Sequence, residues 1–290
     1  MNKELPNGAW PVLLTPFKED GNIDWSALNG LLNFYMKSGT PGIFVVCLSS
    51  ELLQLEFEEK FKLAKYVTDH CNIPVVASGN FGRTIEEQAA SIIRMYKTGV
   101  KAVVVILSLL PSAKNLDEQL LKIANLTNVP LGIYECPTPE HRLLSPKQIE
   151  KVSHSEKFVF MKDTCVNLKI FKEKVKKAQG TPLNIYQAKL SLVPDSIVYG
   201  AAGFCGIIAN VAPKLCNLMC GGNKEAYNKL IQLENLMSAN KYPASAKYML
   251  QKQGLSLTTK CRIMEPEEFT QKNREAIDRD FYSIIKNSTR

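Results

Sequence analysis

The chain has 290 residues, 45% of them hydrophobic and 22% charged. That balance belongs to a globular protein with a substantial core and excludes a disordered or low-complexity chain. Lys and Arg outnumber Asp and Glu by 36 to 28, giving a formal charge of +8. The surplus is spread along helix-like stretches such as 169–177, where Lys169, Lys172, Lys174, Lys176 and Lys177 have a single aromatic, Phe171, among them. Such a run reads as a solvated helix face, so no nucleic-acid partner is expected, and the charge suits a small anion better. No run approaches the ~20 apolar residues of a membrane span, so no membrane partner is expected either. No secretory signal is recognisable, and the eight cysteines (Cys47, Cys71, Cys136, Cys165, Cys205, Cys216, Cys220 and Cys261) contain no C-x-x-C pair. A reduced, cytoplasmic protein is the expectation.

In chain order, eight short apolar runs alternate with amphipathic stretches of helical length. The first strand is expected at 11–15, followed by a helix over Trp25–Lys37 that Asp24 caps. Further strands are expected at 42–47, 73–78 and 101–107, then a helix over Leu116–Leu126 opened by Asn115. The last four strands fall at 130–135, 158–162, 184–187 and 203–208. Nearly every position in these runs is apolar, as in parallel strands covered on both faces. Pro74, Pro130 and Pro182 stand just before strands, where a missing amide is tolerated.

Eight βα units in about 220 residues point to a (β/α)8 TIM barrel rather than an open doubly wound sheet. The first turn, Thr15-Pro16-Phe17, also lacks a glycine-rich phosphate loop. After residue 222 the strand signal stops, and Lys224–Asn240, Ala244–Gln253 and Glu267–Lys286 read as additional C-terminal helices. The expected organisation is a barrel over 1–222 with a helical appendage, 223–290, packed on it.

Two strands end in reactive side chains. The run 158–161 closes on Lys162, and 130–133 closes on Tyr134. At the carboxyl ends of barrel strands both would face the ligand crevice. There an amine can attack a carbonyl while a phenol moves the protons. Lys18 and Lys189 are rival amines, but neither ends an apolar strand so cleanly. Ser49-Ser50-Glu51 follows the second strand, where amides and a hydroxyl can hold a carboxylate. The glycines of 79–82 and 200–206 are explained by close backbone packing.

Only three histidines occur, His70, His141 and His154, none at ligand spacing. A metal-dependent aldolase or zinc hydrolase is therefore disfavoured. Cys47, Cys136, Cys165 and Cys205 lie near strand ends, too far apart around a barrel mouth to converge on zinc. There is no G-x-S-x-G elbow. Neither metal nor cofactor is expected.

At these residues the chain resembles the dihydrodipicolinate synthase / N-acetylneuraminate lyase family of class I, Schiff-base barrels, as a divergent member. The likeness runs from about Gly8 to Asn240. It includes Trp10-Pro11 with Thr15-Pro16-Phe17, Asp20-Gly21 with Ile23-Asp24, and Gly39 and Gly42 before the second strand. Glu51 and Leu55 match a G-T-T-G-E-x-x-x-L motif, Tyr134-Glu135-Cys136-Pro137 a Y-N-x-P motif, and Met161-Lys162-Asp163 an I-K-[DE] motif. Ala209-Asn210 with Pro213 matches the segment after the last strand.

The resemblance implies that Lys162 forms an imine with pyruvate or a related 2-keto acid, and that Tyr134 is the proton donor and acceptor. It places Leu48, Ser49 and Ser50 at the substrate's carboxylate, with Cys205 also on the substrate side. A homo-oligomer, tetramer or dimer, is implied as well.

Departures from the family pattern narrow the reading. The first threonine of the motif is Leu48 here, and the P-Y-Y stretch that supplies a relay tyrosine is Ser108-Leu109-Leu110. The arginine that binds the second substrate is replaced by Pro139, with Arg142 displaced beyond it. Together these argue against the lysine-pathway synthase and for another 2-keto-acid aldolase, a sugar-acid aldolase, or a dehydratase. Glu135, where the family has Asn, is expected at the pocket edge, repelling anions. His141 and Arg142 are candidates for facing a second substrate. The alternative is a barrel that has lost turnover and binds or senses a 2-keto acid. A replacement hydroxyl near Tyr134 would favour the enzyme, and a dry apolar wall would favour the binder.

Overall fold

Runs of Val, Ile and Phe that are buried on both faces form short parallel strands, and amphipathic helices cover them. The structure is a computed structural model and describes residues 5–286. Its first half comprises β1 (Gly8–Ala9), α1 (Trp25–Lys37), β2 (Ile43–Val45), α2 (Phe57–His70), β3 (Val75–Ser78), α3 (Ile85–Tyr96), β4 (Ala102–Ile106) and α4 (Leu116–Thr127). The alternation continues through β5 (Leu131–Tyr134), α5 (Pro146–Ser153), β6 (Phe158–Asp163), α6 (Leu168–Ala178), β7 (Asn184–Gln187), α7 (Val193–Val198), β8 (Gly203–Phe204) and α8 (Pro213–Cys220). Three more helices follow, α9 (Lys224–Ala239), α10 (Ala244–Lys252) and α11 (Gln271–Lys286).

The strands pair in parallel in the order β1-β8-β7-β6-β5-β4-β3-β2. A parallel bridge between Val12 and Phe44 joins the first segment to β2 and closes the circle. The expected (β/α)8 barrel is the fold. Its interior is a packed aromatic core, as small barrels require. The Trp10 ring lies 5.5 Å from Phe160 and 5.7 Å from Tyr186, and Phe44 lies 5.7 Å from Phe160. Gly42 makes room for this stack, since a Cβ there would collide with the Trp10 indole.

Several expectations need correction. The first strand is not a ladder over 11–15. Pro11 has no amide to give, so this segment pairs piecemeal: Trp10 N donates to Phe204 O on one side, and Leu13 N donates to Phe44 O on the other. The second strand stops at Val45 because Val46 turns to φ 52°, and the eighth stops at Phe204 before a 3-10 turn over Ile207–Asn210. Asp24 caps α1 by accepting from Ala27 N at 3.0 Å, whereas Asn115 adopts φ 51° and makes no capping bond to α4. In the basic run of α6, Lys174 is not solvated at all but fully buried.

Two buried ion-pair clusters fix the parts that matter for a site at the strand ends. Behind β5 and β6, Lys174 Nζ is 2.6 Å from Glu135 Oε1 and 2.7 Å from Asp163 Oδ2. Behind the turn after β2, Glu51 accepts from Lys247 Nζ at 3.0 Å and from the amides of Arg262 and Ile263 at 2.5 and 2.9 Å. The second cluster ties the β2 loop to the segment that follows α10.

Candidate active site

Strand alternation decides which side chains enter the barrel mouth. In β5 and β6, Tyr134 is paired with Lys162 in register, and both point inward over the Phe44 ring. Lys162 Nζ lies 4.7 Å from the Tyr134 ring centroid and 5.9 Å from that of Phe44. Lys162 is only 6% exposed, yet among the described residues its Nζ donates to no acceptor. An amine held over two aromatic faces with no carboxylate partner is available to an incoming carbonyl.

The amine and phenol open into a cavity of about 480 Å³ at the carboxyl ends of the strands. Its inner wall holds Leu48, Ser49, Tyr134 and Lys162, and its outer wall holds Gln54, Thr138, Thr164, Lys189, Glu234 and Ser238. Tyr242, Pro243 and Ile263 close it from beyond the barrel strands.

Burial holds the Tyr134 phenol well above its ordinary range, and the neighbouring Cys136 and Cys47 thiols act in the same direction. Tyr134 is therefore a protonated donor at neutral pH. Its hydroxyl meets the Cys136 thiol, which in turn meets Ser108. Cys136 Sγ and Ser108 Oγ both donate to Thr138 O, at 3.1 and 2.8 Å. The surroundings of Tyr134 are thus polar and not a dry wall, although Leu48 carries no hydroxyl.

The other expected site residues divide. Leu48 and Ser49 line the cavity, but Ser50 and Cys205 do not. Ser50 Oγ turns away and donates to Leu13 O at 2.6 Å, securing the β2 turn to the first segment. Cys205 is fully buried behind the wall, where burial pushes its thiol up to about 12. Glu135 is not at the pocket edge. It follows the inward-facing Tyr134, so alternation sends it outward to Lys174 with no solvent exposure. Arg142 does not line the cavity. Its guanidinium donates to Leu107 O and Leu110 O at 3.3 and 2.7 Å and pairs with Glu140 at 2.8 Å. His141 Nε2 lies 2.7 Å from Thr164 Oγ1, an outer-wall hydroxyl. Of the rival lysines, Lys189 reaches the rim and Lys18 does not line the cavity.

Sequence reasoning missed the contribution from beyond residue 222. Tyr242 OH donates to Ser49 Oγ at 2.6 Å, and Glu234 and Ser238 face the cavity from α9. These residues end no strand and match no motif. The Tyr242-Pro243 pair between two helices was the only local irregularity that could have drawn notice.

Residues 5–279 match the Dihydrodipicolinate synthetase family. The chain belongs to that family. The dihydrodipicolinate synthetase family is one of lyases and aldolases. The chain is 28% identical over 261 residues to the 4-hydroxy-tetrahydrodipicolinate synthase of Saccharophagus degradans, covering 86% of this chain and 89% of the relative. Among solved structures, this family member is similar to the dihydrodipicolinate synthase from Aquifex aeolicus. The TM-score there is 0.82 and the identity 24%, over 96% of this chain and 98% of that one. It is also similar to YagE, a prophage protein of the dihydrodipicolinic acid synthase family from E. coli, solved in complex with pyruvate. That match has a TM-score of 0.85 at 18% identity, over 96% and 98% of the two chains. At these identities the two structures speak for the fold.

Proposed function

We propose that this family member is a class I lyase that acts on pyruvate or a related 2-keto acid through an imine on Lys162. The observation that carries this reading is the unpaired, buried Lys162 amine, 4.7 Å from the Tyr134 ring in a shared cavity. In the proposed cycle Lys162 Nζ attacks the keto carbon. Tyr134 gives its proton to the carbonyl oxygen, recovers one from the amine nitrogen and passes it on, so that the oxygen leaves as water and the phenol is left as phenolate. The Tyr134 phenolate then takes the proton of a hydroxyl two carbons from the iminium carbon. The bond between that hydroxyl-bearing carbon and its neighbour breaks to release an aldehyde, and its electron pair passes to the iminium, forming an enamine. Tyr134 mediates reprotonation, and hydrolysis returns the free amine. Run in reverse, the same steps join the enamine to an aldehyde.

The substrate's carboxylate is assigned to the turn at Leu48 and Ser49, which lines the same cavity as Lys162. The outer wall supports a hydroxyl-rich carbonyl fragment over an anionic one. No guanidinium of the described residues lines it, and beside Lys189, whose charge the Glu234 carboxylate offsets, it carries Gln54, Thr138, Thr164 and Ser238. This favours a sugar-derived keto acid over the lysine-pathway condensation, although the curated relatives bear the name of that synthase. The polar contact of Tyr134 with Cys136, which in turn meets Ser108, favours turnover over simple binding. Self-association as a dimer or tetramer is part of the same reading, supported by exposed apolar residues such as Val198 and Leu218. No helix of the described residues is long and apolar enough to cross a membrane.

The test is borohydride trapping with pyruvate and a panel of larger 2-keto acids, read by intact mass and peptide mapping. An adduct on Lys162 that vanishes in Lys162→Ala is expected. Absence of any adduct across the panel would overturn the lyase reading.

A further inference from the structure

Four side chains form a hydrogen-bonded line that ends at the cavity. Tyr35 OH donates to Asn210 Oδ1 at 3.4 Å, Asn210 Nδ2 donates to Tyr242 OH at 3.3 Å, and Tyr242 OH donates to Ser49 Oγ at 2.6 Å. The line has a direction. The Asn210 amide nitrogen can only give hydrogens, so the Tyr242 oxygen accepts there and its own hydrogen goes forward to Ser49. Ser49 thus accepts from behind, and among the described residues its own hydrogen has no acceptor. Asn210 is fully buried and Ser49 is 5% exposed, and the partly exposed Tyr242 between them lines the cavity. What remains is one hydroxyl hydrogen, on Ser49, at the wall of the cavity that contains Lys162.

We propose that Tyr242 is a positioning residue for the substrate's carboxylate: by donating to Ser49 it turns the Ser49 hydrogen toward the ligand. This deepens the keto-acid reading and rests on it. Physically, a serine hydroxyl alone rotates and can present either a lone pair or a hydrogen. An anion needs the hydrogen, and a hydroxyl that already accepts from behind is polarised to give it. The device orders the Ser49 hydroxyl next to Leu48, which has none, through a donor from a segment outside the barrel strands. Burial keeps the Tyr242 phenol protonated far above neutral pH, so its donor character is not lost in the working range.

The experiment compares reductive trapping of pyruvate with that of methyl pyruvate, which has the same keto carbon but no carboxylate. In Tyr242→Phe, half-saturating pyruvate should rise about ten-fold, the loss of one hydrogen bond to a charged group. The trapping rate at saturation should stay within about two-fold, and half-saturating methyl pyruvate should move less than about two-fold. In a Ser49→Ala background, adding Tyr242→Phe should change nothing further, because the two residues act as one unit. Asn210→Asp supplies a second route with the tyrosine retained. A carboxylate there only accepts, so it draws the Tyr242 hydrogen backward, and pyruvate affinity should fall as in Tyr242→Phe.

An equal shift for acid and ester, no shift for either, or an additive loss on top of Ser49→Ala would each overturn the proposal while leaving the lyase reading intact. Failure of the wild-type protein to trap any 2-keto acid would overturn both.

Discussion

Glu135 Oε1 and Lys174 Nζ lie 2.6 Å apart, and neither side chain is reached by solvent. Glu135 follows Tyr134 and Asp163 follows Lys162, so one ammonium behind the barrel wall ties together the two strands that present the phenol and the amine. Lys174→Met should leave two carboxylates buried without a counter-ion. The expected loss is about 3–5 kcal/mol, measured by urea denaturation. A loss no larger than that of an exposed lysine variant would contradict this account of the cluster.

The same cluster sets a pH dependence. Burial first, and then the neighbouring Asp163, push the Glu135 carboxyl up to about 7 from 4.5. A carboxyl raised in the folded state holds a proton that the unfolded chain releases. Its contribution is therefore complete below about pH 4.5 and is lost as pH rises through about 7. Between those values wild-type stability should decline relative to Glu135→Gln, whose profile lacks this slope. Denaturation midpoints across the interval measure the difference.

Tyr134→Phe keeps the ring that packs 5.6 Å from Phe44 and removes only the hydroxyl. If the phenol moves protons, turnover should fall by about 10²–10⁴, while prolonged borohydride treatment still labels Lys162. The thermal midpoint should change little. A variant that loses labelling along with turnover would place Tyr134 in ligand binding and not in proton transfer.

Glu51 stands at φ 58° and accepts two amides and an ammonium. Glu51→Gln weakens all three charge-assisted bonds. Amide hydrogen exchange at Arg262 and Ile263 should accelerate by about ten-fold or more, with β4 and β5 unaffected. Because Ser49 lies two residues away, the affinity for a keto acid should weaken in parallel.

What was legible in the sequence follows from how barrels bury their strands. The runs ending at Tyr134 and Lys162 are apolar at nearly every position because both faces are covered, so their ends could be read directly. The first strand could not, because Pro11 and the need to serve two neighbours break its ladder into single bonds. Glu135 was placed one face wrong, since a polar residue after a strand looks like a pocket residue until alternation is applied. Its partner Lys174 was hidden for a related reason: four lysines around it are partly or fully solvated, and nothing local marks the fifth as buried. Tyr242 lies 193 residues from Ser49, and a hydrogen bond between chain-distant residues leaves no trace in the periodicity of either segment.

The cavity is drawn from two separable stretches of sequence. Lys162 and Tyr134 sit on barrel strands, whereas Glu234, Ser238, Tyr242, Pro243 and Ile263 all fall within one continuous stretch after residue 222. A chimera with another family member, crossed over near that point, would replace one wall of the chamber whole and leave the amine and phenol in place. Natural recombination or a focused library over that stretch would therefore vary what the chamber admits without reopening the question of how the bond is made.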